Sequence, residues 1–237
     1  MCKINYMDID MDLISFIENK LINGEFLNDK EAFYFLSYAS FKTRSLLADF
    51  VGEPLMECNF KNTCNRAQAM LKYYFDSLGL RNVPIQTNKI FFNTVQHSFI
   101  VVYLPLESGV VSYIVDPTYN QFFENGDDNF VYSGNYIRKT PSPGYLISKD
   151  SKIADSILRF GFIKMDKDSA KEYGDSFYLT QIGITKDEYD NLFVPGNSYI
   201  KFFEKCGVDV NKSISELASE GLLLEPTVSK KNIIKNV

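Results

Sequence analysis

Three residues in this chain could together do nucleophilic chemistry: Cys64, His97 and Asp116. Cys64 stands where a helix should begin, His97 where a strand should begin, and Asp116 where the next strand should end. A thiol at a helix N-terminus ionises more readily, because the positive end of the helix dipole favours thiolate. His97 is the only histidine of the chain, and imidazole is the side chain whose ordinary pKa suits proton exchange near neutrality. A carboxylate beside it would fix its tautomer and stabilise its cation. Nucleophile, base and orienting acid are what thiol acyl transfer requires. Each residue also has an ordinary structural use: a small buried hydrophobe, a satisfied core histidine, and an Asp-Pro turn with Pro117. Their joint occurrence in this order favours the chemistry.

The elements around them follow from periodicity. Ala67, Met70, Leu71, Tyr74, Phe75 and Leu78 recur at helical spacing, which predicts a helix from about Cys64 to Leu78, stopped by Gly79. Cys64 lies on that apolar stripe, so its thiol should face the body of the protein. Arg66 adds a positive charge nearby, or else faces solvent. Apolar runs predict strands over Val83–Phe92, Gln96–Leu104 and Val110–Asp116, the last two joined through Pro105-Leu106-Glu107-Ser108-Gly109 as a hairpin. Asp116 shares a face with His97 only if paired positions sum to an odd number. A four-residue loop, Pro105–Ser108, gives that parity and sets the two side by side, whereas a five-residue loop puts them on opposite faces.

The whole chain, 1–237, reads as one catalytic domain with elaborations. Residues 1–57 form a helical N-terminal support. Its first helix lies within residues 8–23. Its second starts at Asn28, with Glu31 completing a capping box, and ends at Gly52. Residues 120–150 are loop-like and should shape a cleft or hide a strand. A short helix is expected over Ser151–Phe160 and a strand over Phe177–Ile184. Helices over Tyr199–Lys205 and Ser213–Ser219 belong to a helical extension over 185–237.

Composition narrows the class. Hydrophobic residues make up 45% of the 237, which marks a globular chain, and the net charge of −5 leaves no basic surface for nucleic acid. Cys2, Cys58, Cys64 and Cys206 are too scattered for a disulfide scaffold. One histidine and no CxxC pair argue against a zinc site, and neither a metal nor another cofactor is called for. The N-terminus has no apolar h-region, and no run reaches the ~20 apolar residues of a membrane helix. A chain made in the cytoplasm is expected, without membrane association and with no Sec-type signal; export by another route stays open.

Cysteine at a helix start, then His-Ser-Phe-Ile-Val-Val-Tyr-Leu and Val-Ser-Tyr-Ile-Val-Asp-Pro-Thr-Tyr on successive strands, resembles the transglutaminase-like branch of the papain-like cysteine enzymes. Gly79-Leu80 before the first strand resembles it too. The likeness covers about residues 60–120. It implies an α+β fold, a nucleophile helix packed on an antiparallel sheet, with Cys64 as nucleophile, His97 as base and Asp116 as orienting acid. The chain has no Trp, and Cys58 stands where papain-like enzymes carry a glutamine six residues before the nucleophile. One oxyanion donor is then the Cys64 backbone N–H; Asn59 and Asn62 are weak candidates for the second. The expected reaction is deamidation or transamidation of a glutamine in a protein or peptide, as in bacterial effector deamidases. A cysteine protease or peptide-maturation enzyme, a small-molecule acyltransferase and a non-catalytic module keeping the fold are the alternatives.

Overall fold

The first two helices begin and end on local signals. α1 (Met11–Ile22) is capped by Asp10, whose carboxylate accepts from the backbone N–H groups of Asp12 and Leu13. α2 (Asp29–Val51) opens on the expected capping box between Asn28 and Glu31 and stops at Gly52, in the left-handed region at φ 75°. α3 (Cys64–Ser77) carries the nucleophile candidate in its first turn and gives way to Gly79 at φ 72°. The computed structural model describes residues 9–58, 60–87, 97–125, 138–141, 156–157, 159–165 and 210–228. Among them, no helix is long and apolar enough to cross a membrane.

Six strands are described: β1 (Asn82–Thr87), β2 (His97–Leu106), β3 (Gly109–Val115), β4 (Phe123–Asn125), β5 (Arg138–Pro141) and β6 (Phe162–Lys164). Strands β1-β2-β3-β6 form one antiparallel sheet in that order, and β4 pairs with β5 separately. With the helices this is a mixed α+β fold. Ile100, Val102 and Leu104 of β2 join Ala67, Met70, Leu71, Tyr74 and Phe75 of α3 in one core, to which α1 and α2 add Ile14, Ile17, Phe35 and Leu36. Alternation along β2 therefore puts His97, Phe99 and Val101 on the other face.

The hairpin differs from the expected one. β2 runs on through Pro105 to Leu106, and Glu107-Ser108 alone make the turn before Gly109. Leu27 explains the extension: its N–H donates to the Pro105 carbonyl at 2.8 Å, its carbonyl accepts from Glu107 at 3.0 Å, and Leu106 is buried. The register moves by two residues, so parity is kept. Ile100 pairs with Val115, and Asp116, one step on, lies on the His97 face, diagonal to it rather than directly opposite.

Other expectations need revision. β1 ends at Thr87, and 88–96 lie outside the described residues. The stretch 120–150 does hide strands, β4 and β5, as one of its two readings has it. Residues 156–157 and 159–160 are helical, while β6 directly after them was unforeseen. The strand expected at Phe177–Ile184 and the helix at Tyr199–Lys205 fall outside the described residues. Ser213–Ser219 lies within α4 (Val210–Ser219), which packs on α3. The chain after α4 is tied down by buried Glu18 of α1. That carboxylate accepts from the Tyr74 hydroxyl (2.6 Å), from Thr227 N (2.8 Å) and Val228 N (3.1 Å), and from the Thr227 hydroxyl.

Candidate active site

The lead-in to α3 is strained where it delivers the thiol. Phe60 and Asn62 both have positive φ, 57° and 62°, a region bulky side chains rarely enter. Such residues cost of order 1–3 kcal/mol each and persist only where their surroundings hold them. Phe60 is buried, and its carbonyl accepts from the Thr63 hydroxyl at 2.6 Å. Thr63 is the N-cap of α3, yet it makes no side-chain cap hydrogen bond. Its hydroxyl is committed backwards, so it does not cap the N–H groups of the first turn. Those are the donors that favour an anion at this helix end.

Cys64 is 8% exposed, and His97 and Asp116 are fully buried. His97 Nε2 lies 2.7 Å from Asp116 Oδ2. The other carboxylate oxygen accepts from the Thr118 hydroxyl at 3.1 Å and from Thr118 N at 3.3 Å. The Asp116 backbone N–H donates to the Gly161 carbonyl at 2.7 Å. Nε2 is committed to Asp116, and Cys64 lies near enough to His97 for each to shift the ionisation of the other. The three residues expected from the sequence are thus brought together.

The electrostatics favour a charged pair. Burial pushes the Cys64 thiol up. The hydrogen bond and positive charge of His97 and the Ser98 backbone N–H outweigh that and the opposing Asp116 charge, so the thiol ionises below its ordinary range. Burial likewise disfavours the imidazolium, but the Asp116 charge and hydrogen bond, with Cys64 adding to them, raise His97 to about 9. Each charge therefore favours the other, and the surroundings of the pair suit a thiolate beside an imidazolium.

Cys58 is the contrast. Burial, with the negative charge of Glu53, pushes it to about 11 despite a hydrogen bond from the Phe60 backbone N–H. Iodoacetamide near pH 7 should therefore modify Cys64 and spare Cys58, as peptide mass mapping would read. Equal labelling of the two would remove the electrostatic distinction. Cys2 and Cys206 lie outside the described residues.

Several positioning residues were not singled out from the sequence. Gln68, one turn beyond Cys64, is buried and donates through Nε2 to the carbonyls of Ile85 (2.7 Å) and Phe99 (2.6 Å). Ile85 and Phe99 are a cross-strand pair of β1 and β2, so one amide ties the nucleophile helix to the strand of the base. Its signal was a polar residue between the apolar positions Ala67 and Met70. Ser98 donates its hydroxyl to Asn65 Oδ1 and so links the residues that follow the base and the nucleophile. Arg44 of α2 is buried and holds the Asp-Pro turn, donating to the Pro117 carbonyl at 2.7 Å and to those of Arg159 and Ile157. Thr118 gives a physical reason for Asp-Pro-Thr, since it fixes the carboxylate.

Gly161 supports the same turn. It has φ 76°, and a Cβ there would meet Ser40 Oγ at 2.0 Å and Pro117 Cα at 3.0 Å. Gly161→Ala should lower stability by at least about 1–3 kcal/mol, read as a fall in melting temperature. An unchanged melt would mean that the contact behind Asp116 is looser than described.

The other residues offered for the site are placed as follows. Arg66 does not serve the thiol: its guanidinium pairs with Glu220 at 3.3 Å and lies 4.7 Å from the centre of the Phe50 ring. It is absent from the groups that shift Cys64. Asn62 is exposed with its backbone in the left-handed region, and Asn59 lies outside the described residues. Among the described residues no cluster of His, Cys, Asp and Glu is arranged to hold a metal ion. Comparison with protein-family models, curated proteins and solved structures returns no match.

Proposed function

We propose that this chain is a cysteine-dependent acyl-transfer enzyme of transglutaminase-like, papain-related type, acting on the carboxamide of a protein or peptide glutamine. The observation that carries the reading is the buried chain of contacts from the Cys64 thiol through His97 to Asp116, with Asp116 held from behind by Thr118. A helix bearing the thiol, packed on an antiparallel sheet bearing the imidazole, supports the papain-like assignment of the fold.

In this mechanism the Cys64 thiolate attacks the amide carbon, and the carbonyl π pair moves onto oxygen. The intermediate collapses to a thioester as His97 gives its proton to the departing nitrogen. Asp116 keeps Nε2 protonated and stabilises the imidazolium, without itself taking the proton. Neutral His97 then activates the acceptor. Water gives the acid, so the net change is deamidation; an amine gives a new amide, so the net change is transamidation.

Intact-mass analysis of candidate protein substrates tests the class. Deamidation gives the small mass gain of amide-to-acid conversion, and transamidation joins two masses with loss of ammonia. A cleaved backbone would instead mark a protease. Substrates unaltered by wild type, or altered equally by Cys64→Ala, would refute the enzymatic reading.

A further inference from the structure

One carboxamide beside the base has no role in the mechanism above. Gln121 sits in the 3₁₀ turn Tyr119–Phe122 that follows Asp-Pro-Thr, and it is half-buried. Its Nε2 lies 3.1 Å from His97 Nδ1, 3.0 Å from the Thr118 carbonyl and 3.3 Å from Thr118 Oγ1. A carbonyl can only accept, and the Thr118 hydroxyl hydrogen is committed to Asp116. The amide orientation is therefore fixed, with nitrogen rather than oxygen facing the imidazole.

An amide N–H aimed at Nδ1 suits only the neutral ring. When His97 holds the proton that Cys64 has lost, Nδ1 becomes a donor, and two donors face each other. While the imidazolium stands, Gln121 has no acceptor on His97, and the oxyanion bonded through carbon to Cys64 offers it one.

We propose that Gln121 is the second donor of the oxyanion hole, its carboxamide N–H passing from His97 Nδ1 to the oxyanion formed on Cys64, beside the Cys64 backbone N–H. The inference rests on Cys64 being an acyl-transfer nucleophile. In the step concerned the Sγ–C bond forms and the carbonyl π pair moves to oxygen, while the thiol proton resides on His97. Collapse restores the carbonyl and expels the leaving group. Gln121 neither gains nor loses a proton. Thr118 thereby positions two groups, the Asp116 carboxylate and the Gln121 amide, and the donor comes from beyond the acid rather than from the segment before the nucleophile.

Two reagents on the full chain separate this role from thiol activation. Acetylation of Cys64 by p-nitrophenyl acetate passes through an oxyanion; alkylation by iodoacetamide does not. Gln121→Ala should slow acetylation at least about tenfold and leave alkylation within about twofold, given that loss of one oxyanion donor costs on the order of 10²–10³ in turnover. Gln121→Glu keeps the length but replaces the donor by an anion. It should slow acetylation further while alkylation is held or raised, because an anion beside His97 favours the imidazolium–thiolate pair. Continued protection of Cys58 from alkylation reports that each variant is folded. Unchanged acetylation in Gln121→Ala would overturn the assignment. So would a parallel fall in both reactions, which is what a merely structural support of Thr118 gives. A wild type acetylated at Cys64 whose Gln121→Ala variant matches it removes only the role of Gln121. A wild type not acetylated at Cys64 removes the nucleophile, and this inference with it.

Discussion

Cys64→Ala is expected to fold as the wild type does and to lose acyl turnover entirely. The change removes one sulfur from a residue with little exposure, in a helix that alanine favours. The melting temperature should therefore move little. Among the described residues the covalent route has no substitute, since the other cysteine there, Cys58, is buried with its pKa raised to about 11. Removing a triad nucleophile costs on the order of 10⁶ in turnover, so the variant should fall to background in a substrate-mass assay. Turnover within tenfold of wild type would show that the thiol is a packing residue.

His97→Ala should cost nearly as much in turnover, but its stability will not be untouched. It leaves the Asp116 carboxylate buried without its imidazole partner. Breaking a buried pair from one side typically costs about 3–5 kcal/mol. Asp116→Asn keeps the shape but loses the charge that raises His97, and comparable changes lower turnover on the order of 10⁴-fold. The double variant, His97→Ala with Asp116→Asn, separates folding from catalysis. It no longer buries a carboxylate that has lost its imidazole, so its melting temperature should recover part of the loss. Its turnover should stay as low as that of His97→Ala, because residues acting as one unit are non-additive. Recovery of activity along with stability would show that the pair serves only the fold.

Much of this arrangement was legible because it rests on local signals. The apolar stripe of α3 placed the Cys64 thiol inward, the capping box at Asn28 started α2, and strict alternation put Asp116 on the His97 face. Parity survived an error in loop length, since the shift was two residues and the strand period is two. The hairpin was misjudged because Leu27, nearly eighty residues away in sequence, completes the end of β2 through its backbone. No local pattern reports a contact of that kind. Gln68, Arg44, Thr118 and Gln121 share that difficulty: each is a polar residue whose role is set by carbonyls or carboxylates it meets in the fold. Arg66 is a case where local sequence left two readings open. Proximity in sequence suggested service to the thiol, whereas the side chain turns to Glu220 and Phe50.

The pH dependence of Cys64 alkylation tests the thiolate–imidazolium pair most directly. Alkylation follows the thiolate, so the rate profile titrates the thiol itself. In the wild type its midpoint should lie below the ordinary thiol value of about 8.5, because His97 and the Ser98 N–H together outweigh burial. In His97→Ala the hydrogen bond and the positive charge are gone while burial remains, so the midpoint should move to or above that ordinary value. A wild-type midpoint already in the ordinary range, or one that His97→Ala leaves in place, would contradict the pairing of Cys64 with His97.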